Sequence, residues 1–140
     1  MTTQMDDRTL LERAAKAAGI EIEFKPCSKV PYYRGNERTQ IYWNPLTDDG
    51  NAFRLAAKLY LHINHFRPNY PAEVVQILPG THMCGTVEVQ REDDDDPLHT
   101  EWYKAGADVC AATRRAIVRA AAALGAQTAK PEEGQDADQA

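Results

Sequence analysis

WNPLTDDGNAFRLAAKLYLHINHF, from Trp43 to Phe66, passes from a helical to a strand-like pattern and so decides the fold class. Asn-Pro favours a turn, and Thr47 or Asp48 can accept a hydrogen bond from the first turn of a helix. A helix is predicted from Asp49 to Tyr60, and its apolar stripe consists of Ala52, Leu55, Ala56 and Leu59. The alternation from Leu61 to Phe66 then predicts a strand.

The rest of the chain contains similar short elements. Helices are predicted at Asp7–Ala18, with Gly19 at its end, and at Asp108–Gly125. Further strands are predicted at Ile20–Phe24, Tyr32–Arg34, Gln40–Trp43, Glu73–Leu78 and Thr86–Gln90. This order indicates an α+β fold, in which a mostly antiparallel sheet of about five strands packs with three helices in a sandwich-like arrangement.

The C-terminal half is predicted to contain two loops and the last helix. Pro79–Gly85 has the composition of a hairpin loop, and the acidic run with PLHTEWYKAG reads as a long irregular connection. The last helix is expected to hold Cys110 in the core and to bury Val109, Ala112, Ala116, Ile117, Ala120 and Leu124. Its exposed face would carry Arg114, Arg115 and Arg119.

The size and composition favour one domain. With 140 residues, of which 43% are hydrophobic, the chain is expected to form a single α+β domain over residues 1–126. The segment 127–140 is acidic and has no large apolar residue, so it is expected to be disordered. No apolar run has the length of a membrane span, and the three cysteines lack paired spacing. We therefore expect a cytoplasmic protein that does not insert into a membrane.

The charge is concentrated in short segments. The net charge is −5, and five consecutive acids occupy Glu92, Asp93, Asp94, Asp95 and Asp96. Such a row can reproduce the field of a phosphate backbone and attract a basic partner, or it can be a solvated loop. We treat these acids, with Arg114, Arg115 and Arg119, as a partner-binding hypothesis. Direct nucleic-acid binding is not expected at a pI near 5.3.

Catalytic and metal-binding patterns are weak. Asp48 and Asp49 are explained by capping and by the helix dipole. His62 and His65 would point to opposite faces of a strand, so they are not expected to share a metal ion. The common nucleotide-binding and hydrolase motifs are missing from the sequence. No metal, cofactor or catalytic residue is therefore assigned, although His82 with Cys84 remains an alternative for a small hydrolase or metal-dependent enzyme.

A second alternative is a small-ligand-binding protein. A pocket between the sheet and the helices would then be lined by Trp43, Tyr60 and Trp102. A binding protein is expected in preference to an enzyme. The oligomeric state does not follow from the sequence.

Three blocks resemble a known group of proteins. LLERAAKAAGIEIEF, WNPLTDDGNAFRLAAKL and AATRRAIVRAAAALG, which begin at Leu10, Trp43 and Ala111, resemble small proteins of tailed phages and prophages described as phage sandwich-domain proteins. The segment between Leu61 and Asp108 departs from the pattern of this group. The resemblance implies a sheet between helices and supplies no catalytic residues.

The resemblance also implies a role. A phage-encoded accessory protein would act in the host cytoplasm by binding and inhibiting a host protein or nucleoprotein complex, such as a CRISPR-type defence system. Inhibition by stoichiometric binding needs no cofactor and no active site.

Overall fold

The computed structural model describes residues 5–36, 39–66, 84–104 and 107–128. Its helices are α1 (Asp7–Ala18), α2 (Asp49–Lys58) and α3 (Val109–Thr128). Its strands are β1 (Glu23–Phe24), β2 (Pro31–Asn36), β3 (Thr39–Tyr42), β4 (Leu61–Phe66), β5 (Cys84–Arg91) and β6 (His99–Lys104). The predicted α+β class is confirmed, with six described strands in two antiparallel sheets where about five strands were expected.

The first helix begins and ends where the sequence predicts. The Asp6 carboxylate accepts a hydrogen bond from the Thr9 backbone N–H at 3.0 Å. Hydrogen bonding from the Thr9 side chain, and then from its backbone N–H, lowers the pKa of Asp6. At the other end Gly19 adopts a left-handed φ of 71°, and the N–H groups of Gly19 and Ile20 bond to the carbonyls of Lys16 and Ala15. These paired bonds form a Schellman motif, which satisfies the last carbonyls of α1.

The first sheet has the order β1-β2-β3. The strand predicted at Ile20–Phe24 is wrong over its first three residues, because only Glu23 and Phe24 pair with β2. At the start of the predicted strand, Ile20 still belongs to the end of α1, because its N–H bonds to the Ala15 carbonyl at 2.9 Å. The β2–β3 hairpin is confirmed: β2 extends one residue before and two residues beyond its prediction, whereas β3 begins and ends one residue earlier than predicted.

The second sheet has the order β4-β5-β6. The irregular connection predicted for PLHTEWYKAG is wrong, because His99–Lys104 forms β6 and pairs with β5 over its whole length. The Leu98 N–H also bonds to the Val89 carbonyl at 2.7 Å, which closes the β5–β6 turn. Inward positions on β6 hold His99, Glu101 and Tyr103, so this strand lacks a fully apolar inner face.

The segment before β4 begins as predicted. The Asp48 carboxylate caps α2 by accepting a hydrogen bond from the Asn51 N–H at 2.7 Å. α2 ends at Lys58, two residues before the predicted end, because Tyr60 has a φ of 53° that no helix continues through. β4 then begins at Leu61, where the sequence predicts it.

The last helix, α3, contributes to two cores. Ile117, Val118, Ala121 and Ala122 pack with buried residues of α1 and α2 and with Trp43. Ala112, Ala116 and Ala120 pack on the second sheet, against Val87, Val89 and Tyr103. Two predictions for the first turn are wrong: Val109 and Cys110 are exposed. Leu124 is only half-buried.

Some predictions lie outside the described residues. These are the strand Glu73–Leu78, most of the loop Pro79–Gly85, and residues 129–140 of the predicted tail. Gln127 and Thr128 belong to α3, so the prediction that disorder begins at residue 127 is wrong at these two positions. Cys84 and Gly85 are described and belong to β5, so the loop prediction is wrong at these two positions. Among the described helices, none has the length and apolar character that crossing a membrane requires.

Candidate functional site

The acidic run forms the exposed turn between β5 and β6. All five side chains from Glu92 to Asp96 are exposed, and the Asp94 N–H bonds to the Arg91 carbonyl at 3.3 Å. None of these acids takes part in an ion pair between described residues. The turn therefore projects concentrated negative charge from one end of the second sheet.

Arg114 does not belong to an exposed arginine face. Its side chain is 17% exposed, and its Nη1 lies 2.5 Å from Asp49 Oδ1. Its Nε donates to the Leu46 carbonyl at 2.9 Å. The guanidinium thus connects α3 to the start of α2, and the prediction that it is free on the surface is wrong.

Arg119 is also engaged within the protein. It donates through Nη1 to both oxygens of the buried Glu101 carboxylate on β6, with 2.6 Å to Oε2. The Nε atom of Arg115 lies 3.8 Å from the same carboxylate. The Arg115 side chain is the most exposed of the three arginines. A buried carboxylate needs such partners, because it loses its hydration on folding. Only Arg115 of the predicted arginine face remains open to a partner.

His99 completes this charged cluster. Its Nε2 lies 3.7 Å from Glu101 Oε2, is shielded from solvent and has no hydrogen-bond partner among the described residues. Burial lowers the pKa of His99, and the neighbouring Glu101 carboxylate opposes part of that effect. Arg119 lowers the pKa further. A cleft of about 590 Å³ has His99 and Arg119 in its wall.

The structure separates the three aromatic residues proposed to line one pocket. Trp43 is buried, with 4% exposure, and belongs to the core around α1 and α2. Tyr60 and Trp102 are 75% and 68% exposed. Neither lines the cleft beside Trp43, so the prediction of a shared pocket is wrong. Tyr60 follows α2, and Trp102 lies on β6 of the other sheet.

The largest of the described clefts has a volume of about 720 Å³. We call it the β2 cleft; it is lined by the Gly19–Glu23 segment, Tyr33, Arg34, Trp43, Asn51, Arg54, Leu55 and Lys58. Its volume falls within the range of sites for small organic ligands. Trp43 and Leu55 supply apolar wall, whereas arginine and lysine side chains stand at the rim.

The charges around the β2 cleft are partly neutralised. Arg34 Nε lies 3.3 Å from Glu23 Oε2. Arg54 Nη2 donates to the neutral Asn51 Oδ1 at 3.1 Å, and Lys58 makes no ion pair with a described residue. Because Glu21 is the one further acid in the lining, positive charge is in excess.

The outer face of the second sheet is the other candidate site. Phe66 lies opposite Thr86 on β5, and Thr86 lies opposite Trp102 on β6, so the three side chains form one row. Phe66 is 49% exposed and Trp102 is 68% exposed. The inner face instead carries the buried Val87 and Val89 that pack on α3. We call Phe66, Thr86 and Trp102 the aromatic row.

The described residues place no catalytic or metal-ligating partner beside the candidate cysteine and histidines. His82 lies outside the described residues, so the pairing of His82 with Cys84 stays a prediction. His65 faces α3, where its Nε2 lies 2.9 Å from Thr113 Oγ1, and the β4 register places His62 on the other face as expected. Within residues 5–36, 39–66, 84–104 and 107–128, no three His, Cys, Asp or Glu side chains are grouped as metal ligands would be.

Comparison with known proteins found no matching family model, no matching curated protein and no matching solved structure. The resemblance of Trp43–Leu59 and Ala111–Gly125 to phage sandwich-domain proteins therefore stays a prediction. Function has to be inferred from the geometry of the β2 cleft, the aromatic row and the acidic turn.

Apart from Trp43 in the β2 cleft and Arg115 and Arg119 beside Glu101, sequence patterns did not identify the residues of these two sites. One available signal was the spacing of Arg54 and Lys58, which are four apart on a predicted helix and therefore share a face. A second was the alternation of Thr100, Trp102 and Lys104 with His99, Glu101 and Tyr103, which has the period of a strand.

Proposed function

We propose that this protein is a phage-encoded accessory protein that acts in the host cytoplasm by binding and inhibiting a host protein or nucleoprotein complex. The observation that carries the proposal is the aromatic row, in which Phe66 and Trp102 remain 49% and 68% exposed on an ordered sheet. Exposed apolar groups that stand together mark interaction surfaces more often than isolated ones do. Tryptophan in particular is enriched among residues that dominate binding energy.

The acidic turn indicates the kind of partner. Glu92–Asp96 lies at one end of the sheet that carries the aromatic row. Its carboxylates make no ion pair with a described residue, so their field is not neutralised within the described part of the protein. A negative surface attracts a positive one and raises the rate of encounter. We therefore expect a basic partner of the kind that handles nucleic acid, which includes CRISPR-type defence complexes.

The test is capture of the partner with matched surface variants. The tagged protein is expressed in a proteobacterial host, and nuclease-treated and untreated lysates are purified in parallel. A basic protein at stoichiometric yield is expected, and Trp102→Ser should weaken its binding at least tenfold, or by about 1.4 kcal/mol, because an anchoring tryptophan is lost. Dissociation constants measured with the purified partner check this figure.

Phe53 provides the control because it is an equally accessible aromatic residue on α2, with 72% exposure. Phe53→Ser should leave the affinity unchanged. Replacing Asp93, Asp94 and Asp95 together with Asn should lower the association rate and make that rate less dependent on salt concentration. The dissociation rate should change little. If the partner binds the Trp102 and Phe53 variants equally well, the aromatic row is not the binding surface and the proposal fails.

A further inference from the structure

The β2 cleft lies where β1 separates from β2. The β1–β2 ladder pairs Glu23 with Tyr32 and Phe24 with Pro31, and it ends there. β2 nevertheless continues to Asn36 and pairs with β3 on its other side. Had the ladder continued, Ile22 would face Tyr33 and Glu21 would face Arg34; instead, these four residues line the cleft. The cleft thus occupies the position of a missing strand segment.

The direction of the backbone groups on β2 follows from one hydrogen bond. The Trp43 N–H donates to the Pro31 carbonyl at 2.9 Å, so the Pro31 carbonyl points away from β1. Alternate residues of an antiparallel strand direct their N–H and C=O groups to the same side. Arg34 therefore directs its backbone N–H and C=O to the side that β1 leaves open. Such unpaired groups at a strand edge are a template for another extended chain.

The apolar wall of the cleft suits a single side chain. Trp43 and Leu55 are buried core residues whose edges reach the cleft, and Ile20 and Ile22 from the α1–β1 connection are half-buried beside them. A ligand side chain that packs here would cover the half-buried Ile20 and Ile22 and so remove apolar surface from water on both partners.

The rim of the cleft carries two cations that make no ion pair with a described acid. Arg54 and Lys58 are four residues apart on α2 and share one face of the helix. Arg54 contacts the neutral amide of Asn51, whereas the third cation, Arg34, is already paired with Glu23. A carboxylate on the ligand would give Arg54 and Lys58 charge-assisted hydrogen bonds, which are stronger than those to neutral acceptors.

We propose that the β2 cleft binds the carboxyl end of an extended peptide. One residue of the ligand pairs with the Arg34 backbone as a short added strand, its apolar side chain covers Trp43 and Leu55, and its terminal carboxylate binds Arg54 and Lys58. This site is separate from the aromatic row and does not depend on the proposed role in inhibiting a host complex.

The test uses Trp43 as the reporter. Trp102→Phe leaves Trp43 as the only tryptophan, so its emission reports on the cleft alone. The probes are N-acetyl-Ala-Leu and N-acetyl-Ala-Phe with free carboxyl groups, the same peptides with carboxamide ends, and 4-methylpentanoate and 3-phenylpropanoate, which lack peptide bonds. Amide chemical shifts measured by NMR locate each bound probe.

A free-carboxyl peptide should change the Trp43 emission saturably and shift the amide signals of Arg34, Arg54 and Lys58. The carboxamide and the simple acid should each bind at least about tenfold more weakly, because one lacks the charge and the other lacks the backbone groups. Replacing both Arg54 and Lys58 with Gln should lower the affinity for the peptide by a similar factor. Lys104→Gln, on the other sheet, should leave that affinity unchanged.

Two results would overturn the proposal. If the simple acids bind as well as the peptides, the cleft is a site for organic acids, and the open edge of β2 is not used. If no peptide binds at millimolar concentration while the circular dichroism spectrum of the variant matches that of the unaltered protein, the cleft is not a peptide site. Neither result bears on partner capture through Trp102, so the two proposals fail separately.

Discussion

The imidazole of His99 is the described side chain with the clearest conflict between burial and charge. It faces the Glu101 carboxylate from its own strand, and Arg119 and Arg115 of α3 share that carboxylate. Burial, the largest effect, lowers the pKa of His99 below its ordinary value, and Arg119 lowers it further. Although Glu101 favours the protonated ring, it is already neutralised by arginine. Burial in the folded protein therefore favours the neutral form of His99.

This conflict makes stability sensitive to acid. Because the pKa is lower in the folded state, the unfolded chain binds the proton first as the pH falls below about 6.5. The contribution of neutral His99 to the free energy of unfolding is therefore fully present above that pH. It decreases as the pH falls towards the pKa of His99 in the folded protein. We expect His99→Gln to lose less stability than the unaltered protein between pH 7.5 and pH 5.5, as measured by urea denaturation.

His62 is the control for this experiment, since it is exposed on the outer face of β4. His62→Gln should retain the full loss of stability in acid. Equal acid sensitivity of the His99 variant and the unaltered protein would show that His99 titrates alike in the folded and unfolded states.

At the residue scale, local interactions could be predicted from the sequence and long-range ones could not. The capping role of Asp48 depends on residues within one helical turn, and the sequence showed it. The pairing of Arg119 with Glu101 joins positions on different elements. Helical periodicity placed Arg114 and Arg119 on a polar face, but it contains no information on which carboxylate approaches that face.

At the scale of elements, α1 and α3 approach each other closely at Gly125. A Cβ atom added to Gly125 would lie 2.0 Å from the backbone oxygen of Arg13, so only glycine allows this approach. The two helices then pack through small residues, which include Ala14, Ala15, Ala121 and Ala122.

Gly125→Ala should therefore push α1 and α3 apart. We expect a loss of about 1–3 kcal/mol in the free energy of unfolding, as for other overpacked cores. Gly50→Ala in α2 is the matched control, because the added Cβ would meet only side-chain ends, at 3.2 Å or more. That variant should be neutral or gain up to about 1 kcal/mol through helix propensity. Chemical denaturation measures both, and equal stability of the two variants would contradict the close contact.

The errors at β1 and β6 show which interactions the periodicity of the sequence does not report. β1 was predicted too long because Ile20 and Ile22 alternate as in a strand, yet Ile20 belongs to the Schellman motif that ends α1. β6 was missed because its inner positions include His99 and Glu101, which become acceptable only when Arg119 is in place. The β2 cleft arises from the first of these deviations, so the alternation pattern could not reveal it.

At the scale of the molecule, α3 is a wall shared by two cores. One of its faces packs with α1 and α2, and another packs on the second sheet, while the half-buried Leu61 and Ile63 of β4 contact both cores. Damage to either core should therefore be transmitted to the other. We expect the described elements to unfold in one cooperative transition.

Val87→Ala tests this expectation. Val87 is fully buried on β5, and its truncation should cost about 2 kcal/mol from lost burial and a small cavity. In a Trp102→Phe background, the emission of Trp43, which lies in the other core, should report the same reduced midpoint as far-ultraviolet circular dichroism. An unchanged Trp43 midpoint would show that the two cores unfold independently.

The place of α3 in the chain also governs how the protein can be made. Translation delivers the N-terminal segments first, and α3 is the last described helix to leave the ribosome. Until residues 109–122 emerge, the inner face of the second sheet and the apolar faces of α1 and α2 lack the helix that covers them. Folding of the described elements is therefore completed only after these residues have been synthesised. A nascent chain interrupted before α3 would present two uncovered apolar surfaces to chaperones and proteases.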